Sequence, residues 1–196
     1  MKQKIFVRLI GGYGNQLFIY AFGLALSEQT GKELILDNIS GFGNSADEYK
    51  SEFALDSLNI KGKLINQSIF RFFVANKYFW YLANKFGLSY VEPFQEKYID
   101  VSKSKKHFFE GYWQSYLYFD LYKDQLKKYL SLNNLNNINI LNYKKKIMKS
   151  KNSVAIGMRF YEETLSANQN HIVKEEEFSF EAIQLIEKKI INPEYY

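Results

Sequence analysis

The chain is predicted to be α/β, with a parallel sheet covered by helices followed by the opening of a second unit of the same kind. Three observations carry that prediction. A short β-branched apolar run, Ile5-Phe6-Val7-Arg8-Leu9-Ile10, ends at a glycine turn, Gly11-Gly12-Tyr13-Gly14. An apolar helix and a second short strand follow at once. Much later, at Ser153, a strand-then-helix order begins again. Strand, turn, helix, strand is a βαβ unit, which implies parallel strands with the helix packed on the sheet.

The first helix is read from Leu17, Phe18, Ala21, Phe22, Leu24, Ala25 and Leu26, which recur at helical spacing between Asn15 and Gln29, with Gly31 as its C-terminal stop. Glu33-Leu34-Ile35-Leu36-Asp37 is the second strand. Gly41, Gly43, Asn44 and Ser45 mark a loop. From Ser68 to Phe86 one amphipathic helix is expected, mixing Phe72, Phe73, Phe79, Trp80 and Leu82 with Arg71, Lys77 and Lys85. It is read as packing on the domain, with a membrane-facing role as the alternative. Phe108 to Gln114 reads as a strand entering a loop, and Tyr116 to Tyr129 as a helix.

Six asparagines among the ten residues Asn133 to Asn142 mark a boundary, giving expected domains of 1–142 and 143–196. The second opens with a buried strand, Ser153 to Phe160. Ser179 is the expected cap of a helix running to Ile190, with Asn192-Pro193 as its stop. Glu194-Tyr195-Tyr196 reads as the first residues of another strand. A strand and helix without a third element leave a sheet face uncovered. The chain is therefore expected to end inside its second domain and, alone, to be inactive or unstable.

Composition narrows the chemistry. The 196 residues are 46% hydrophobic and 24% charged, a globular balance. The lack of cysteine excludes thiol nucleophiles, Cys-based zinc sites and iron–sulfur clusters. His107 and His171 are the only histidines, so a histidine-rich metal site or a Ser-His-Asp triad has few members available. The net charge of +5 comes mainly from lysine, 23 of 26 basic residues, whereas readers of bases and phosphates favour arginine. Nucleic acid is not an expected partner. Peripheral attraction to anionic lipid stays open. The longest apolar stretch, Leu17 to Leu26, is too short to span a bilayer, and Met1 to Val7 lacks a signal-peptide pattern. The expected location is the cytoplasm, with peripheral contact at the inner face of the membrane open.

The glycine turn is where α/β folds bind anions, because backbone N–H groups and the helix dipole face the ligand. A dinucleotide fingerprint needs a third glycine where Leu17 stands, although Asp37 sits roughly where a ribose-binding acid would. Asn15-Gln16 departs from both dinucleotide and phosphate-loop patterns. Two amides there can hydrogen-bond sugar hydroxyls or phosphate oxygens without adding charge. An N-cap asparagine with an incidental glutamine is the alternative.

Gly11-Gly12-Tyr13-Gly14-Asn15-Gln16-Leu17-Phe18 resembles the opening motif of the α-1,2-fucosyltransferases of glycosyltransferase family 11. Gly111-Tyr112-Trp113-Gln114-Ser115, followed by Tyr118-Phe119, resembles a second block of that family. The third block, usually His-x-Arg-Arg-x-Asp, corresponds to Gly157-Met158-Arg159-Phe160-Tyr161-Glu162. The first arginine is kept as Arg159, Glu162 stands for the aspartate, and Gly157 and Phe160 replace the histidine and the second arginine.

The resemblance implies a GT-B-like pair of Rossmann-type domains, the first on the acceptor side and the second for the nucleotide sugar. It implies an inverting, metal-independent transfer of L-fucose from GDP-fucose to the 2-hydroxyl of a galactose in a surface glycan, with no cofactor beyond the donor. No Asp-x-Asp occurs in the chain. Arg159 and Asn15 are the expected catalytic residues. Gly12, Gly14, Asn15, Gln16, Arg159 and Glu162 are expected at the donor, and Tyr112, Trp113 and Gln114 at the acceptor. Without the resemblance, Arg159 reads as a surface or salt-bridged arginine, and Tyr112 and Trp113 as core or interface aromatics. The general base is unassigned, Glu162 being a candidate by type only. A non-catalytic glycan- or nucleotide-binding remnant and an NAD-binding protein are the rival readings.

Overall fold

Alternation along the first strand decides the architecture. In the computed structural model, which describes residues 3–42, 51–92, 98–131, 138–157 and 175–196, β1 spans Lys4–Arg8. Ile5, Val7 and the following Leu9 enter one apolar cluster, and Phe6 enters a second. Successive side chains of a strand point to opposite faces, so a strand apolar on both sides must be covered on both. Helix α1 (Tyr13–Thr30) covers the first face, burying Ile19, Tyr20, Phe22 and Leu24. A Cβ on Gly23 would lie 3.1 Å from Leu34 and 3.2 Å from Val7, so glycine lets the helix sit close against the sheet. Gly31 ends the helix in the left-handed conformation, φ 67°, as its position predicts.

β2 (Glu33–Asp37) pairs parallel with β1, Ile5 opposite Leu34 and Val7 opposite Leu36. β3 (Lys63–Leu64), β4 (Ser89–Val91) and β5 (Phe108–Glu110) complete a fully parallel five-stranded sheet of order β3-β2-β1-β5-β4. The second face is covered by α2 (Arg71–Val74) and α3 (Lys77–Lys85). Val74 and Trp80 are buried there with Phe6, Ile35 and Ile65. The expected single helix from Ser68 to Phe86 is thus two helices. Asn76 takes an extended backbone and its side chain accepts the Tyr78 N–H at 2.9 Å, capping α3.

The segment from Phe108 is a strand entering a loop, as its sequence suggests: the strand stops after Glu110, because Gly111 at φ 157° and Trp113 at φ 54° turn the chain out of the sheet. One other element is shorter than expected. The segment from Tyr116 is two single 3-10 turns, Tyr116–Tyr118 and Asp120–Tyr122, before α4 (Lys123–Tyr129) begins.

The chain divides into two compact units, Met1–Asn133 and Asn134–Tyr196. The division lies upstream of 142/143 because Ile138–Lys149 is one helix, α5. In the second unit β6 (Ser153–Val154) pairs parallel with β7 (Glu194–Tyr195), and α6 (Glu175–Glu187) lies between them in sequence. Glu194-Tyr195 is therefore a strand, as its sequence suggests. Ser179 lies inside α6 and does not cap it.

Candidate active site

From β1 the chain moves outward to β2 and β3, whereas β5 and β4 lie on the other side of β1. Strand order reverses between β1 and β5. Ligands of open α/β sheets bind outside the strand carboxyl ends at such a reversal, because the connecting loops diverge there and leave a crevice. In this chain the segments leaving those two strands are Leu9 to Gln16 and Gly111 to Gln114, the same segments that carry the two sequence blocks.

Gly11 has φ 73°, and a Cβ there would lie 2.7 Å from Asn15 Nδ2. Glycine is needed for the turn and for the close approach of the asparagine. Gly12 precedes α1 in extended conformation. No side chain caps it, and the first turn of α1 contains no acid, so first-turn N–H groups stay available to an incoming oxygen. Gly14 is exposed, with open space where a Cβ would stand. Asn15 Oδ1 accepts a hydrogen bond from Gln114 Nε2 at 2.7 Å, joining residues 99 positions apart across the strand reversal.

Gln16 does not join them. It is fully buried, and its Nε2 donates to the carbonyls of Gly11 (2.9 Å) and Glu52 (2.8 Å). Its Oε1 accepts the Ala54 N–H at 2.9 Å. Both amide hydrogens are spent on the backbone, so its expected role at the donor is corrected to a brace for the turn. Trp113 is corrected likewise. It is fully buried, stacked on Phe22 with 3.7 Å between ring centroids and 1° between planes, and offers no face to a sugar. Tyr112 is half-buried beside it, and Gln114 is exposed.

Carboxylates occupy the same sheet edge. Glu92, just after β4, accepts the Trp113 N–H at 2.6 Å and is also hydrogen-bonded by the Tyr112 N–H and the Tyr118 hydroxyl. Burial nonetheless raises its pKa above the ordinary 4.5, outweighing those bonds. Burial also pushes the Tyr118 hydroxyl up to about 12. A Cβ on Gly111 would lie 2.7 Å from Glu92 Oε2, so this carboxylate is seated against glycine backbone.

Arg8, the last residue of β1, pairs with Glu110, the last of β5, at 2.6 Å. Its Nε and Nη2 donate to Ser40 Oγ (3.0 Å) and Ser40 O (2.9 Å), and the guanidinium lies over the Trp80 ring. Arg8 and Glu110 border an open cleft of about 490 Å³ with Lys77, Tyr78, Trp80, Tyr81 and Asn84. A cleft of about 460 Å³ at the opposite sheet edge, between Gly31 and Lys63, is remote from both blocks.

Asp37 is completely buried. Its carboxylate accepts the backbone N–H groups of Ile39 and Ser40 at 3.0 Å, the Ser40 hydroxyl, and Trp80 Nε1 at 2.7 Å. No lone pair is left to face a ribose, which removes the acid that the NAD-binding reading requires. Sequence reasoning passed over Arg8, Glu92 and Glu110. A charged residue ending or following an apolar strand is the signal that could have found them, since only strand ends reach the carboxyl edge. Arg159 and Glu162 lie outside the described residues. His107 is at the amino edge of the sheet, its Nδ1 hydrogen-bonded to the Lys4 carbonyl at 2.8 Å. Among the described residues no helix is long and apolar enough to cross a membrane.

No family model matches the chain, and no solved structure does. It is 28% identical over 202 residues to an alpha-1,2-colitosyltransferase of Escherichia coli, an alignment covering 96% of this chain and 66% of that protein. The chain thus spans about two thirds of the length of the curated relative it matches.

Proposed function

We propose that this chain carries the acceptor-side domain, and part of the nucleotide-sugar domain, of a GT-B-like inverting glycosyltransferase that forms an α-1,2 linkage. The donor is a sugar nucleotide, GDP-fucose by the motif resemblance, and the acceptor is a galactose at the end of a glycan. The reading is carried by one observation: the two sequence blocks, far apart in the chain, meet through the Asn15–Gln114 hydrogen bond where the strand order reverses. The likeness to an α-1,2-glycosyltransferase over nearly the whole chain supports it.

In the reaction the acceptor 2-hydroxyl attacks the anomeric carbon, and the bond to the diphosphate oxygen breaks with its electron pair leaving on the phosphate. The hydroxyl proton passes to a base. Negative charge grows on the diphosphate, where the Arg159 guanidinium would stabilise it; one such charge-assisted contact is worth about 3 kcal/mol of barrier. Asn15, fixed by Gln114, supplies its Nδ2 hydrogens to a sugar or phosphate oxygen.

The test is binding of a galactose-terminated oligosaccharide to the chain, followed by NMR, with NAD as the competing ligand. The expected result is saturable galactoside binding, weakened about tenfold by Asn15→Ala as one polar contact is lost. Binding of NAD and not of the galactoside would overturn the reading. In a catalytically active protein carrying this sequence, Arg159→Ala is expected to slow transfer about tenfold or more, read as the mass gain of the acceptor.

A further inference from the structure

We infer that α2 and α3 form a docking surface for an anionic lipid bilayer. Their inward face is already fully used: Val74, Trp80 and Ala83 are buried, and Trp80 Nε1 is bonded to Asp37 and to the Val74 carbonyl. The outward face is nonetheless apolar. Ile69, Phe72, Phe73, Tyr78, Tyr81 and Phe86 are all at least 64% exposed, and Phe72 is 80% exposed. Isolated exposed apolar residues are ordinary, but aromatic side chains concentrated on two consecutive helices mark a surface that meets something.

Charge identifies the occupant. From Ser57 to Val91 the sequence has no aspartate or glutamate and five basic residues, in a chain otherwise of mixed sign. Arg71, Lys77 and Lys85 stand exposed among the aromatics, and none forms an ion pair among the described residues. The Arg71 guanidinium lies 5.3 Å from the Phe72 ring centroid and the Lys77 ammonium 5.5 Å from that of Tyr78, so the cations share the aromatic surface. Protein interfaces are depleted of lysine at their cores. Membrane-surface helices combine aromatic residues that enter the headgroup layer with cations that reach back to anionic heads. The docking does not depend on the transfer reaction proposed above. Lys77, Tyr78 and Tyr81 also border the Arg8–Glu110 cleft, so a docked chain presents that cleft at the bilayer surface.

The test is co-sedimentation of the chain with phosphatidylcholine vesicles and with vesicles containing roughly 30% phosphatidylglycerol. Expected is partitioning about tenfold or more stronger into the anionic vesicles and reduced by salt, because screening weakens surface attraction. Phe72→Ser with Phe73→Ser and Tyr81→Ser is expected to abolish it at unchanged circular dichroism. The second variant, Arg71→Glu with Lys77→Glu and Lys85→Glu, leaves the apolar residues in place and is expected to weaken anionic binding about tenfold or more. The same reversal at Lys144, Lys145 and Lys146 of α5 is expected to change it less than about twofold. Equal binding by wild type and both patch variants would overturn the inference. So would a dimer formed through this face, seen by sedimentation velocity, without vesicle binding.

Discussion

Asn15 and Gln16 are neighbours in sequence and serve opposite ends. Successive residues of an α-helix point about 100° apart, so one amide reaches Gln114 at the strand reversal and the other faces the core. The sequence displays two amides and not which way each points. Gln16→Leu should therefore lower stability by about 1–3 kcal/mol in urea denaturation, since it removes the partner of the carbonyls of Gly11 and Glu52 and of the Ala54 N–H. A loss below about 1 kcal/mol would show that water replaces the amide. Glu92 gives a second residue-scale outcome. Its raised pKa means the folded state holds the proton to higher pH than the unfolded chain. Stability from this group thus falls as pH rises from the ordinary 4.5 through the raised folded value. Glu92→Gln cannot titrate. Urea midpoints of the two proteins from about pH 4 to about pH 7.5 should show the wild type losing ground to the variant as pH rises. A constant difference would mean that burial does not govern this carboxyl.

At the scale of elements, the α1 turn separates what a helix needs from what a ligand needs. Gly14 is helical, exposed and without neighbours where a Cβ would stand, so nothing in the fold requires glycine there. Gly14→Ala should raise stability by about 0.5 kcal/mol, because alanine loses less backbone entropy in a helix. It should also weaken GDP-fucose binding about tenfold if the donor approaches the backbone at this turn, a penalty typical of overfilling a close contact. Greater stability with unchanged binding would remove Gly14 from the site. The first βα unit and β2 were legible because periodicity and a glycine stop are local signals. The break at Asn76 was not, because the aromatic pattern runs through it. A capping asparagine and an exposed one look alike until the Tyr78 N–H is placed.

The whole molecule divides unevenly. Among the described residues, every buried hydrophobic side chain lies between Ile5 and Leu126, and both apolar clusters are contained in the first unit. A fragment of residues 1–133 should accordingly unfold in one cooperative transition within about 5 °C of the intact chain, followed by circular dichroism. Residues 134–196 alone should show no cooperative transition. Independent folding of the second fragment would show that it has a core of its own.

By itself the sequence determined the class of the fold, the parallel βαβ start, the strand at Glu194-Tyr195 and the two blocks worth examining. Those depend on side-chain period and on turn chemistry within a few residues. Only the tertiary structure decided where the block residues lie: Asn15 and Gln114 meet at the strand reversal, Gln16 and Trp113 are buried, and Asp37 is fully hydrogen-bonded. It also brought forward Arg8 and Glu110, paired across 102 residues. Such pairings follow from the order in which strands assemble, which no local pattern encodes, because the burial that drives assembly is non-directional and depends on the whole sheet.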